Sequence, residues 1–281
     1  MLHSQAALEK PAGAIGDRRA EAWFGDAANV LLNESRLIVG DQPFRLVEIE
    51  FYYFAEDHPD CFAHCDPNQL EMGRWYFHRR GGSYRGGSFK GLDLTFGDGV
   101  AFGGILLRTM AAPDGSLING PSLLVNRLLA ETGHGRIADL DAVIDSRTAW
   151  ESGSPLSLAA ASGEDARTVH RTARVGLSLK TAGDDERRLR YVLRRYRYLT
   201  EPRGVKKGKL HTVLALHADG AEPAEIQRLT GSPRAGVTRY LADFEQGRQA
   251  ADFAPHVGED LNSQRLCRLH GVWHARMASD A

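Results

Sequence analysis

The sequence predicts an α+β protein, a strand-rich first part followed by a small all-α region. Three observations carry this. Arg45–Tyr53, RLVEIEFYY, supports two-residue alternation, the side-chain repeat of a strand. Gly104–Met110 is a short apolar run set among turn residues, as in a buried strand. Beyond Gly204, apolar residues recur at helical spacing.

Taken in order, residues 1–18 read as a flexible N-terminal tail and Ala20–Leu32 as a helix. Arg36–Tyr53 gives two short strands broken at Gly40-Asp41, and Trp75–Phe77 and Phe89–Phe96 give two more. Between the last two lies RRGGSYRGGSFKG, with five glycines in Arg79–Gly91; it suggests a long hairpin tip or a backbone passing close to a ligand. Leu117–Ala130 starts a helix at Pro121, with Leu124, Leu128 and Leu129 at helical spacing. Arg171–Lys180 and Arg187–Leu199 are strand-like, with the acidic turn Gly183–Glu186 between them.

Leu210–Gln246 has the spacing of a helix-turn-helix. Ile226, Val237 and Leu241 sit where two short helices would pack across Gly231, whose lack of a side chain permits a left-handed turn. Ser232-Pro233 suits the start of the second helix, on which Arg234, Thr238 and Arg239 would face a DNA groove. An ordinary helical hairpin has the same pattern. The expected organisation is a tail (1–18), a mixed domain (19–203) and a helical domain (204–281).

With 281 residues, 42% hydrophobic and 25% charged, the chain can bury one substantial core and carry a second small domain. No apolar run reaches membrane-spanning length and the start lacks a signal-peptide core, so a cytoplasmic protein is expected. Cys61, Cys65 and Cys267 are too few for a disulfide framework. The formal net charge of -1 hides an asymmetry: Arg187–Lys209 holds ten Lys or Arg residues against Glu201 alone, a local charge of 10 − 1 = +9. Tyr191, Tyr196 and Tyr198 interleave with arginines there, including Arg195 and Arg197. That composition points to nucleic-acid phosphates.

Alternation places Glu48, Glu50 and Tyr52 on one strand face. A carboxylate can activate water and a ring can hold a planar base, so the face has the makings of a hydrolytic base pocket.

Five motifs in order resemble the alkyladenine (3-methylpurine) DNA glycosylase family over about residues 20–202: RLVEIEFYY, FGDGVAFGGILLRTM, LINGPSLLVNRLL, ARVGL and RLRYVLRRYRYL. The resemblance implies a curved antiparallel, barrel-like core with flanking helices. It implies Glu50 as the residue that deprotonates water, Tyr52 as the ring stacked on a flipped base, Arg108 as the arginine adjoining that Glu, and His64 as the pocket histidine, although the Glu50–His64 spacing exceeds the usual one. Asp93 stands where the family usually has Asn, and is expected to accept a hydrogen bond from an exocyclic amine on the base. Tyr84 is the candidate wedge into the gap left by the flipped nucleotide. Arg85, Lys90, Arg174, Arg195 and Arg197 are candidate DNA contacts.

The activity implied is that of a monofunctional glycosylase working without cofactor or metal, as a monomer, on double-stranded DNA carrying either a modified cytosine, as in bacteriophage DNA, or an alkylated purine. Three alternatives stand beside it. Cys61, His64 and Cys65, with Cys267 and His270, have zinc-like spacings. Lys90 is a candidate lyase amine. A helix-turn-helix on a catalytically inert core would make a DNA-binding regulator.

Overall fold

The computed structural model describes residues 3–161, 166–183 and 185–277. It divides into two compact units: residues up to Pro59 with Ala63–Val169 and Tyr198–Thr200, and Asp60–Phe62 with His170–Arg197 and the chain from Glu201. None of its helices is long and apolar enough to cross a membrane.

The first unit opens with α1 (His3–Leu8) and α2 (Asp17–Asn33), then β1 (Ser35–Val39), β2 (Gln42–Ala55) and β3 (His58–Pro59). There follow β4 (Met72–Phe77), the small hairpin β5 (Arg79–Arg80) and β6 (Ser83–Tyr84), β7 (Leu92–Phe96), β8 (Phe102–Ala111) and β9 (Leu117–Asn119). Helices α3 (Pro121–Glu131) and α4 (Ile137–Ile144) and strand β10 (Leu156–Ala160) complete it. The main sheet is antiparallel in the order β10-β1-β2-β8-β7-β4. Its path has two ends, and no strand pairing among the described residues joins β4 to β10.

Alternation along β2 divides the sheet into two chemically different faces. Phe51 and Tyr53 point to the core, where Phe24 of α2 stacks on Phe51 at 4.8 Å and Tyr53 stacks on Phe96 at 5.7 Å. Glu48, Glu50 and Tyr52 therefore take the opposite face. Register shifts between Leu46, Glu48 and Ile49 mark an irregularity where the polar side begins, a feature that increases local twist and re-aims side chains. The expected loose tail is instead ordered from His3: Leu8 and Ile15 are fully buried, and Trp23 Nε1 donates to the Ala7 carbonyl. Two apolar side chains with cover available fold the segment down.

The second unit contains β11 (His170–Thr172), α5 (Glu186–Tyr191), most of the approach to β12 (Arg197–Leu199), and helices α6 (Lys209–Ala218), α7 (Pro223–Thr230), α8 (Arg234–Ala250) and α9 (Ser263–Met277). Its division from the first unit does not fall at residue 204. Ala173, Leu179, Val192 and Leu193 share a core with Leu269 and Trp273 of α9, so the helical unit draws in residues assigned by sequence to the mixed domain. Two strand expectations also change. Arg171–Lys180 forms strand only at its start, and Arg187–Leu199 begins as helix. Asp185 caps α5 by accepting from the Arg187 backbone N–H, and Arg188 and Arg190 lie in its last turn, where cations suit the helix dipole.

Candidate active site

Four side chains on β2 and β8 form one buried group. Glu50 Oε2 accepts a hydrogen bond from the Tyr52 hydroxyl at 2.9 Å and another from Arg108 Nη1 at 3.2 Å. Arg108 Nε donates to Glu48 Oε1 at 3.0 Å, and the Thr109 hydroxyl donates to Glu48 Oε2 at 2.6 Å. Glu48, Glu50 and Arg108 are buried, while Tyr52 is half-buried. One guanidinium thus balances two carboxylates away from water. Burial alone would lower the Arg108 pKa, but Glu50 and Glu48 beside it raise it above the usual arginine value. The residues expected to act together, Glu50, Tyr52 and Arg108, are together. Glu48 shares their arginine.

A second polar group lies on the same sheet face. Glu50 pairs with Leu106, and Leu106 in turn with Asp93; residues opposite one another in neighbouring strands share a face. Asp93 Oδ1 meets His78 Nε2 at 2.6 Å and Oδ2 accepts from Gln69 Nε2 at 2.9 Å. The His64 and His78 rings lie 4.4 Å apart, centroid to centroid, with Tyr76 close to both. His64 is exposed at its rim within a crowded site; that burial, and then the His78 ring, lower its pKa.

This geometry corrects the role expected of Asp93. Its carboxylate is buried and already accepts from two protein donors, so it is poorly placed to take up a hydrogen bond from a base. Its partner His78, half-buried, is a residue that sequence reasoning missed. The two-residue spacing to Tyr76 across from Asp93 offered a signal, but only the β4–β7 register turns it into a contact. The donor atoms of His64, His78 and Asp93 fall within 4.8 Å of one another, and no cysteine joins any such group of three among the described residues. The cysteine-based zinc site is therefore not assembled there, and we assign no metal to the histidines.

Tyr84 is not free to act as a wedge. Its hydroxyl donates to Asp141 Oδ2 of α4 at 2.6 Å and accepts from Arg79 at 2.8 Å, while the Arg79 guanidinium lies over its ring. A wedge needs an unanchored tip. The aromatic that projects from the glycine-rich segment is Phe89, 71% exposed, in the turn Gly87–Phe89. That turn is tied to α3, since the Ser122 hydroxyl donates to the Gly87 carbonyl and Lys90 Nζ to Asn126 Oδ1 at 2.6 Å. Helix α3 in turn starts against β8, where the Gly120 N–H donates to the Arg108 carbonyl. Arg85 is half-buried, its backbone N–H bonded to the His78 carbonyl. A cleft of about 380 Å³ against the outer edge of β4, lined by Trp75, Arg79, Tyr84 and Asp141, includes none of the Glu50 group.

In the second unit, two of the expected DNA contacts are structural. Arg174 is fully buried in a two-pronged ion pair with Asp60. Arg197 is fully buried and donates to Thr172 Oγ1 and the Lys207 carbonyl. Arg194, Tyr191 and Tyr196 are buried too, so two cations of the basic run, Arg194 and Arg197, face inward while Arg187, Arg203, Lys206 and Lys207 are exposed. Charge counts cannot distinguish a guanidinium aimed at phosphate from one satisfying the protein's own acceptors. Arg195 keeps partial exposure and pairs with Asp219.

Apolar residues on either side of Gly231 pack together. Val213 of α6, Ile226 of α7 and Val237 of α8 form a shared core. Gly231 closes α7 at φ 66, the left-handed conformation that glycine adopts readily. Arg234, Thr238 and Arg239 are exposed on the first turns of α8.

No family model matches the chain. Among curated proteins, an uncharacterized protein of Acanthamoeba polyphaga mimivirus is 38% identical over 135 residues, 43% of this chain and 62% of the viral protein. The match thus spans about three fifths of that relative.

Proposed function

We propose that the chain is a monofunctional DNA glycosylase, in which Glu50 activates the water that hydrolyses the N-glycosidic bond of a flipped nucleotide. The observation that carries this reading is the Glu50 carboxylate itself, buried yet charge-balanced by Arg108 and bonded to Tyr52. Hydrolysis proceeds through an oxocarbenium-like sugar, which a carboxylate can stabilise while taking a proton from water. Arg108 donates a charge-assisted hydrogen bond to the carboxylate and fixes its orientation. Access to Glu50 requires displacement of Tyr52, the half-exposed member, by the incoming nucleotide, whose base then stacks against that ring and His64.

The remaining parts of the reading follow from exposure. Phe89 replaces Tyr84 as the candidate wedge, with α3 behind it. Helix α8 supplies duplex affinity through Arg234, Thr238 and Arg239. Both substrate classes, modified cytosine and alkylated purine, and both roles, defence against foreign DNA and base excision repair, belong to the proposal. Asp93, engaged by Gln69 and His78, does not favour cytosine over purine. The proposal also keeps a cytoplasmic monomer acting on double-stranded DNA with a barrel-like core.

The test is mass spectrometry of bases released from alkylated DNA and from bacteriophage-type DNA rich in modified cytosine. Release of one class by the wild type, and none by Glu50→Gln, is expected. Borohydride trapping of a covalent adduct through Lys90 would transfer the chemistry to that amine. The exposed face of α8 favours a second reading, a DNA-binding regulator without catalysis, which predicts tight duplex binding with no base released.

A further inference from the structure

We propose that the segment of residues 201–209, which leads into α6, is a phosphate-binding site in which Arg203, Lys207 and Lys209 take the backbone of the duplex whose groove α8 enters. This rests on the reading of α8 as a duplex contact and is independent of the chemistry at Glu50.

Counter-charge distinguishes these cations from others on the second unit. Lys180 is answered by Asp260 at 2.7 Å, Arg187 by Asp185 at 2.9 Å and Arg248 by Glu245 at 2.6 Å. Charges paired in this way cancel within a short distance and leave little field for a partner. Around the turn between α7 and α8 the pairing stops. Among the described residues no ion pair holds Arg203, Lys207, Lys209, Arg234 or Arg239. Arg203 and Lys207 are exposed and Lys209 is half-buried. The Lys209 pKa is lowered by burial and then by the Arg203 charge, a repulsion between like charges that a phosphate bound to both relieves.

The segment that presents them is held from within. The Gly204 and Val205 N–H groups both donate to the Glu201 carbonyl, at 3.0 and 3.1 Å, and Val205 is buried. The buried Arg197 guanidinium donates to the Lys207 carbonyl at 3.0 Å and to the Gly208 carbonyl at 3.3 Å. Gly208 is left-handed at φ 71, and a Cβ there would stand 2.3 Å from Val175 Cγ2, so no larger residue fits. Lys209 Nζ donates to the Arg203 carbonyl at 3.0 Å. A segment ordered before it binds gives up less entropy on binding.

Placement joins this segment to α8. The Arg203 stem lies on Gly231, where an added Cβ would come 3.3 Å from its Cγ. Gly231 closes α7, and α8 begins three residues later at Arg234. Arg203 therefore borders the start of the groove-facing helix, the place where neighbouring segments of a helix-turn-helix cross the nucleic-acid backbone. Phosphate contacts there fix register without reading sequence. A lipid surface fits less well, because the apolar side chain of the segment, Val205, points into the protein and none is left to insert.

The experiment measures binding by fluorescence anisotropy to unmodified duplexes of two unrelated sequences over a range of salt concentrations. Lys207→Gln should lower the slope of log affinity against log salt by about 0.9, and Arg203→Gln combined with Lys207→Gln by about twice that, equally on both sequences. Lys207→Arg keeps the charge and should keep the wild-type slope. The Lys207 side chain makes no hydrogen bond among the described residues, so Lys207→Gln should melt with the wild type and carries the test alone if the double variant does not fold. An unchanged slope in Lys207→Gln, a loss confined to one sequence, or a wild type that binds phosphatidylserine vesicles or duplex RNA more tightly than duplex DNA would each overturn the proposal. Arg234→Ala, measured alongside, separates this site from α8: a slope lowered by Arg234→Ala but not by Lys207→Gln overturns the loop site and leaves the α8 reading in place. These duplexes carry no base to release, so a protein without glycosylase activity would still show the expected slopes.

Discussion

The Tyr52 hydroxyl donates to the same Glu50 oxygen, Oε2, that Arg108 Nη1 reaches. Tyrosine at this position therefore both covers the carboxylate and helps satisfy it. Removing the hydroxyl in Tyr52→Phe should loosen that cover while keeping a ring for stacking, so base release should fall modestly. Glu50→Gln, unable to take a proton from water, should lose release altogether. Duplex binding should survive in both, measured by fluorescence anisotropy. Wild-type turnover by Glu50→Gln would sink the Glu50 mechanism.

Arg108 balances two buried carboxylates, so its loss should be felt in stability as well as chemistry. Arg108→Ala is expected to cost about 3–5 kcal/mol, the range seen when one partner of a buried pair is removed, read from urea unfolding. An unchanged midpoint would mean that Glu48 and Glu50 find other protons or partners.

Phe89 is too exposed to support the core. Phe89→Ala should leave the melting temperature unchanged but slow base release from duplex DNA, with little effect on a single-stranded substrate that has no gap to fill. Equal slowing on both substrates would argue against a wedge.

The helices after Gly204 cannot be removed cleanly to test their part in binding, because Leu269 and Trp273 complete a core with Ala173 and Leu193. Point changes on α8 serve instead. Arg234→Ala and Arg239→Ala should weaken duplex binding and each reduce the slope of log affinity against log salt by about one, if each meets a phosphate. Unaltered affinity and slope would reject the groove-facing role.

His270 on α9 meets His211 Nδ1 through its Nε2 at 2.8 Å, and burial, with Arg195 adding to it, pushes its pKa down to about 3. In the unfolded chain the imidazole titrates near 6.5. Between these values the unfolded state binds the extra proton, so stability should be full above about pH 6.5 and decline as pH falls towards 3. Melting temperatures across that window should fall less steeply in His270→Gln. An identical slope would locate the acid sensitivity elsewhere.

The polar face of β2 was legible because a strand's repeat of two is visible in its letters: Glu48, Glu50 and Tyr52 fall together wherever the strand goes. Arg108 entered through the resemblance, and the β2–β8 register accounts for its contact. What stayed hidden was long-range pairing. Nothing in the letters joins His78 to Asp93 or Arg174 to Asp60, and in each case a charged residue assigned to a ligand proved to be held by the protein. The helical start of Arg187–Leu199 was obscured for a related reason, since its arginines and tyrosines suit either element and the cap at Asp185 decides locally. The α7–α8 turn, by contrast, depends on near neighbours and on Gly231, and was readable as written.

Gly104 gives the sheet face a property that a genetic selection would reveal. It lies opposite Tyr52, and a Cβ added there would come within 2.4 Å of Gln69 Nε2 and 2.8 Å of Asp93 Oδ2. The smallest possible enlargement, one methyl group, would press on the Asp93 network from the middle of the floor while leaving every titratable residue in place. Among loss-of-function alleles, Gly104→Ala should therefore recur beside changes at Glu50, and its suppressors should be smaller side chains at position 69 rather than new charges.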